Sequence, residues 1–264
     1  MPQDLESTEA SAAALAGKVA LVTGGARRIG ASIVTELHRS GMNVVIHYYH
    51  SGDDAQTLAG ALNALRCGSA SLVRGNLLDD AGPSAIIDEA QARWGRLDLL
   101  VNNASSFYPT PVGSIDVSAW DDLVGTNLKA PLFLSQAARE PLRQHRGAIV
   151  NIADIHADRP LTEHAVYCAA KAGLLMLTRA LARDLAPDIR VNAISPGAIL
   201  WPGTAHDSPD EQGKSQAEVL RATPLGRQGE PRDIARTVLF LMRDAPYITG
   251  ENISVDGGRS LGFR

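Results

Sequence analysis

At 264 residues with 45% hydrophobic content, the chain is long enough to close one large core, and nothing in its composition calls for a second. Its formal charge is −4, from 25 basic and 29 acidic side chains, and the basic residues are scattered, which argues against nucleic acid and anionic membrane as partners. Cys67 and Cys168 lie far apart and form no CxxC or Cys/His spacing, so neither a disulfide framework nor a metal site is signalled, and two free thiols fit a cytoplasmic location.

Residues 1–17 carry Asp4, Glu6 and Glu9 and lack the basic start and apolar stretch of a secretory signal; they read as a disordered or loosely attached tail, with the domain running from 18 to 264. From Lys18 onward, seven short β-branched runs alternate with Ala/Leu-rich segments of helical length. The runs are KVALVTG, NVVIHYY, SLVRG, LDLLVNNA, GAIVNIA, IRVNAIS and ENISVDG. Several are apolar on successive residues, as a strand buried on both faces must be, so the pattern predicts an α/β fold: one Rossmann-like, doubly wound parallel sheet of about seven strands in a single domain. No uncharged apolar run approaches the roughly 20 residues needed to cross a bilayer, which predicts a soluble protein. The irregular stretch over 196–213 holds three prolines and three glycines just after a strand, and residues 197–214 are the expected substrate loop, because ligands bind at the carboxyl ends of such strands.

The run Thr23-Gly24-Gly25-Ala26-Arg27-Arg28-Ile29-Gly30 follows the first strand and opens the first helix, where backbone N–H groups and the helix N-terminus hold a dinucleotide pyrophosphate. The second strand continues as VVIHYYHS with no acid before Asp53, whereas an NAD site places a carboxylate there for the ribose 2′-OH. With Arg27, Tyr49, His50 and Ser51 around that position, the expected cofactor is NADPH. Taken singly, His47 and His50 read as surface histidines at a strand end. Tyr167 and Lys171 stand four residues apart, hence on one helix face, where the cation lowers the phenol pKa and makes Tyr167 a proton donor that works near neutral pH.

These motifs resemble the short-chain dehydrogenases and reductases over about residues 18–260. The glycine run is similar to TGxxxGxG, with Arg28 where the middle glycine usually stands; TGxxxRxG resembles the pteridine reductases. Leu99 to Ala104 resembles the family's NNAG, with Ser105 in place of glycine, and Ser105-Ser106-Phe107-Tyr108-Pro109 is similar to pteridine reductases, whose phenylalanine stacks on a pterin. Ordinary core packing is the other reading of Phe107. Asp154, thirteen residues before Tyr167, replaces the serine that in the wider family bonds a substrate carbonyl. A carboxyl donates there only when protonated, which suits a nitrogen heterocycle that needs a proton at a ring nitrogen; a degenerate relative that has lost its serine is the alternative.

The resemblance implies a catalytic set of Asp154, Tyr167, Lys171 and Asn127, with Lys171 on the nicotinamide ribose and Asn127 holding a relay water and the lysine's helix. It implies cofactor contacts at Gly24, Arg27, Arg28, Ile29, Gly30, Tyr49, His50, Ser51, Asn76, Leu77, Asn103, Ala104, Ser105, Tyr167, Lys171, Pro196, Gly197 and Ile199. Asn76 stands where an Asp commonly contacts adenine. Substrate contacts are implied at Arg28, Ser105, Phe107, Asp154 and Tyr167. The implied reaction is NADPH-dependent reduction of a pterin or folate by a homotetramer whose C-terminal Arg264 visits a neighbouring site or frays. A dihydromonapterin reductase, a ketone reductase of the same family and a non-catalytic NADPH-binding protein remain alternatives.

Overall fold

The structure, a computed structural model, describes residues 15–199 and 216–262. Seven strands, β1 (Val19–Val22), β2 (Asn43–Tyr48), β3 (Ala70–Arg74), β4 (Leu99–Asn102), β5 (Ala148–Ile152), β6 (Arg190–Pro196) and β7 (Asn252–Val255), form one parallel sheet in the order β3-β2-β1-β4-β5-β6-β7. All seven strand segments read from the sequence are present. The order reverses between β1 and β4, and this switch point opens the crevice in which such sheets bind ligands.

The apolar runs are explained by a sheet covered on both faces. In β1, Ala20 and Val22 point into one core, with Ile33, Val34 and Leu37 of α1 (Arg28–Arg39), Leu62 of α2 (Gly52–Leu65) and Val238 of α9 (Pro231–Arg243). Val19 and Leu21 point into the other core, with Ile86 of α3 (Gly82–Ala92), Leu134 of α5 (Ala130–Ala137), Leu142 of α6 (Arg139–Gln144) and Ala182 of α7 (Ala165–Asp184). Each fully buried Leu or Ile contributes roughly 1.5–3 kcal/mol, which is why the period-2 pattern fixes the sandwich. Helix ends are set locally: Asp116 accepts from the Ala119 amide at 2.7 Å to start α4 (Val117–Val124). Glu230 and Asp233 form a reciprocal capping box around Pro231 at the start of α9. Its other end is closed by Arg190 of β6, whose guanidinium donates to the carbonyls of Leu241 at 2.8 Å and Ala245 at 3.1 Å.

One expectation changes. Leu15 is 1% exposed and belongs to the α1/α9 core, so residues 15–17 are part of the domain rather than of a loose tail; residues 1–14 lie outside the described residues. Helix α7 is, at 20 residues, long and apolar enough to cross a membrane by length and composition, although it carries Lys171, Arg179, Arg183 and Asp184 and so is not an uncharged run. Half of it is buried inside the protein, where an apolar helix supports β6. Within the expected substrate loop, 200–214 falls outside the described residues, as does the short helix's approach up to α8 (Gln216–Arg221).

Candidate active site

The carboxyl ends of β1, β2 and β3 form one end of the crevice. The turn after β1 is locked to the NNA segment after β4: Thr23 Oγ1 accepts from the Asn103 and Ala104 amides at 2.9 and 3.1 Å, and Asn103 Nδ2 donates to the carbonyls of Thr23 and Gly24 at 2.8 and 3.1 Å. The turn itself demands glycine. A Cβ at Gly30 would collide with the Gly24 carbonyl oxygen and lie 2.7 Å from Asn103 Nδ2. Arg28 adopts φ +50°, the left-handed region glycine favours, so the arginine occupies a backbone shaped for glycine at a cost of about 1–2 kcal/mol.

The donor set fits a dinucleotide. α1 begins here with no side-chain cap and no acid in its first turn, and its first intrahelical bond is made by the Ala31 amide, so the opening amides at Ile29 and Gly30 and the helix dipole face the crevice unneutralised. The Gly24 N–H donates to His47 Nδ1 at 3.2 Å and its carbonyl is held by Asn103, so it helps to shape the cradle. Arg27, Tyr49 and His50 are exposed on the adjoining rim; Tyr49 and His50 touch at 4.0 Å between ring centroids, and Ser51 stands at the N-cap of α2. Asp54 lies 3.5 Å from Arg27, an acid beside the base expected to take a 2′-phosphate. Asn76 Nδ2 donates to Asp79 at 2.8 Å and its Oδ1 accepts from the Leu78 amide at 3.1 Å, leaving that oxygen a second lone pair; Leu77 packs against the core. Pro196 ends β6, the Gly197 amide donates to Val255, and Ile199 is 4% exposed, so backbone rather than side chain meets the crevice there.

At the other end, β5 and α7 bring the acid, phenol and amine together. The Tyr167 hydroxyl donates to Asp154 Oδ2 at 2.6 Å, while Asp154 Oδ1 accepts from the His156 amide at 2.8 Å and caps a short 3-10 turn, Ile155–Ala157. Lys171 is 2% exposed and donates to the Ile152 carbonyl at 2.9 Å, with its ammonium 5.7 Å from the Tyr167 ring centroid. Burial lowers its pKa to about 8 against the opposing pull of Asp154, so it stays cationic at neutral pH yet close to release.

Ser105 to Tyr108 form the wall between the two ends. Asn127 sits in a π-helical turn, Gly125–Lys129, and accepts from Ser105 Oγ at 2.6 Å while donating to the carbonyls of Ser106 and Leu123, each at 2.9 Å. These side-chain bonds go to the wall, while the turn that carries Asn127 packs against α7, the helix of Lys171. Asp122 anchors the same wall: it accepts from Ser106 Oγ at 3.0 Å and bonds Tyr108, whose phenol is pushed up by burial and by this carboxylate. Between these anchors Phe107 is 42% exposed, stacked on His164 at 4.7 Å and edge-on to Tyr167 at 4.8 Å. Phe107 is therefore a wall, not core. His47, which taken singly reads as a surface histidine, is instead 2% exposed, while Asp122 and His164 carried no reading; the signal for Asp122 was its place four residues before Thr126 and five before Asn127.

This fold, glycine cradle and Tyr/Lys pair define a nicotinamide-dependent oxidoreductase, and the chain belongs to the short-chain dehydrogenase/reductase family. A family model described as Enoyl-(Acyl carrier protein) reductase matches residues 24–260. Pteridine reductase 1 of Leishmania tarentolae is 40% identical over 92% of this chain and 96% of that protein. 3-oxoacyl-[acyl-carrier-protein] reductase FabG of Staphylococcus aureus strain Mu50 is 38% identical over 91% of this chain and 97% of that protein. The chain is thus similar to enzymes of two different substrate classes at nearly equal identity, and it uses NAD(P)H.

Proposed function

We propose that the chain is an NADPH-dependent pterin reductase that converts dihydropterins or dihydrofolate to their tetrahydro forms. One observation carries this reading: the Tyr167 hydroxyl bonds a carboxyl oxygen of Asp154 at 2.6 Å, in the position where the wider family has a serine. Tyr167 can give its hydroxyl proton to a ring nitrogen, and Asp154, once protonated from solvent, can replace that proton or deliver its own through water. Lys171 stabilises the phenolate as the proton leaves, and Phe107 supports the flat ring on the face opposite His164. A bound nicotinamide cofactor supplies the hydride; the chain supplies orientation and proton delivery. The absence of an acid on β2, with Arg27 and His50 on the rim, supports NADPH over NADH. We propose further a homotetramer, because Trp120, Phe133 and Met176 leave apolar surface at 51%, 41% and 61% exposure on α4, α5 and α7, and a cytoplasmic location, which the free thiols of Cys67 and Cys168 suit.

A second reading, reduction of a ketone such as a 3-oxoacyl thioester, is favoured by the 38% identical FabG relative and by the description of the matching family. The test is NADPH oxidation with dihydrobiopterin, dihydromonapterin, dihydrofolate and a 3-oxoacyl thioester in parallel, repeated with Asp154→Ala. The pterin reading expects turnover of at least one pterin, lowered roughly 10²- to 10⁴-fold by the substitution with NADPH binding kept within about twofold. Turnover of the thioester alone would overturn it.

A further inference from the structure

The crevice contains a buried group that the chemistry above does not use. His47 lies one residue before the end of β2, on the face that also carries Val45, and is 2% exposed. An apolar side chain is the ordinary occupant of such a position, and a polar ring there must satisfy both nitrogens. It does so with two different segments: Nδ1 accepts from the Gly24 amide at 3.2 Å, and Nε2 donates to the Gly75 carbonyl at 3.1 Å. An amide N–H only donates and a carbonyl only accepts, so the neutral tautomer with hydrogen on Nε2 alone satisfies both. Burial lowers the His47 pKa to about 4, which keeps the ring in that form across the physiological range. The residue's own carbonyl accepts from the Gly25 amide at 2.9 Å, so one histidine holds two successive amides of the glycine turn.

We infer that His47 is a positioning residue for the adenosine half of the cofactor, an imidazole strap that sets the spacing between the glycine turn at 24–30 and the Gly75-Asn76 turn. The first turn carries the amides that face a pyrophosphate. The second follows β3 beside it and is tied to β2 through the Gly75 amide on the Tyr48 carbonyl at 3.2 Å. Removing the ring leaves a buried donor and a buried acceptor without partners and lets the two turns drift independently. The reacting groups stand just beyond β5 (Asp154) and on α7 (Tyr167 and Lys171), away from the strap, so its loss acts on nucleotide affinity rather than on proton delivery. This inference requires the nucleotide cradle only and stands whichever substrate the enzyme reduces.

The test is calorimetric binding of NADPH, NADH and the fragment 2′,5′-ADP to the full chain and to H47L, H47N and H47Q, with thermal melting as a check on folding. H47L is expected to weaken all three ligands by about tenfold and by a common factor. Both side-chain amides carry an acceptor and a donor: in H47N the shorter chain serves Gly24 but falls short of Gly75, so its affinity falls between, whereas the longer chain of H47Q reaches both and recovers most of the affinity. If H47L does not fold, the comparison of H47N with H47Q decides. Affinities within twofold of wild type in every folded variant, or weakened NADPH with unchanged 2′,5′-ADP, would overturn the assignment.

Discussion

At the β1 end of the crevice the groups proposed to meet a ligand are backbone atoms held in place by glycines, whereas at the β5 end they are side chains, Asp154, Tyr167 and Lys171, with Tyr167 bonded to Asp154 and Lys171 to the Ile152 carbonyl. The two constructions fail differently. A backbone cradle tolerates almost any change that leaves its path intact and none that adds a carbon where segments touch. A side-chain cluster tolerates no loss of its functional groups, yet its backbone is ordinary strand and helix. Specificity for the nucleotide class is thus written in shape, and specificity for the reaction in chemistry.

Gly30→Ala tests the cradle most severely. Its methyl group would enter the space of the Gly24 carbonyl, and we expect a loss of about 3 kcal/mol or more in denaturant unfolding together with loss of NADPH binding. A stable, cofactor-binding alanine variant would mean that the turn yields more readily than its contacts imply. The catalytic end is probed through Lys171. Its pKa is about 8 in the folded protein against an ordinary 10.5. Below pH 8 both states carry the charge and the folded one bears the desolvation cost. Between pH 8 and 10.5 the unfolded chain binds a proton that the folded chain lacks, so stability rises with pH through that window, by about 3 kcal/mol in all. The difference in unfolding free energy between wild type and Lys171→Met, followed from pH 7.5 to 10.5 without cofactor, should climb accordingly; a flat difference would show that the buried amine is not desolvated. The smallest effect concerns the rim. Asp54 competes with a 2′-phosphate for Arg27 across an exposed, screened contact, so Asp54→Asn should tighten NADPH about two- to fivefold at low salt and leave NADH nearly unchanged. Equal changes for both cofactors would remove Arg27 from phosphate recognition.

Much of this was legible in the chain. The seven strands announced themselves because burial on both faces leaves uninterrupted apolar runs, and Tyr167 and Lys171 because helical periodicity alone sets them on one face. What stayed hidden depends on contacts between residues distant in sequence. His47 reads as a strand-end histidine until parallel pairing lays β2 between the Gly24 turn and Gly75, 23 and 28 residues away. The bonds of Asn127 to Ser105 and Ser106, 22 and 21 residues away, likewise depend on the π-helical turn that carries it. His164 and Phe107 are separated by 57 positions, and only the bridge between Thr110 and His164 explains why their rings stack.

Arg28, at φ +50°, has an evolutionary consequence. Every arginine codon lies one base from a glycine codon, and at this position the exchange removes a side chain while relieving the backbone, so the cradle survives the step in either direction. A β-branched residue at the same place would be resisted by the left-handed conformation itself. The lip of the crevice is therefore a point where a lineage can gain or discard a cationic contact by a single mutation without rebuilding the nucleotide site.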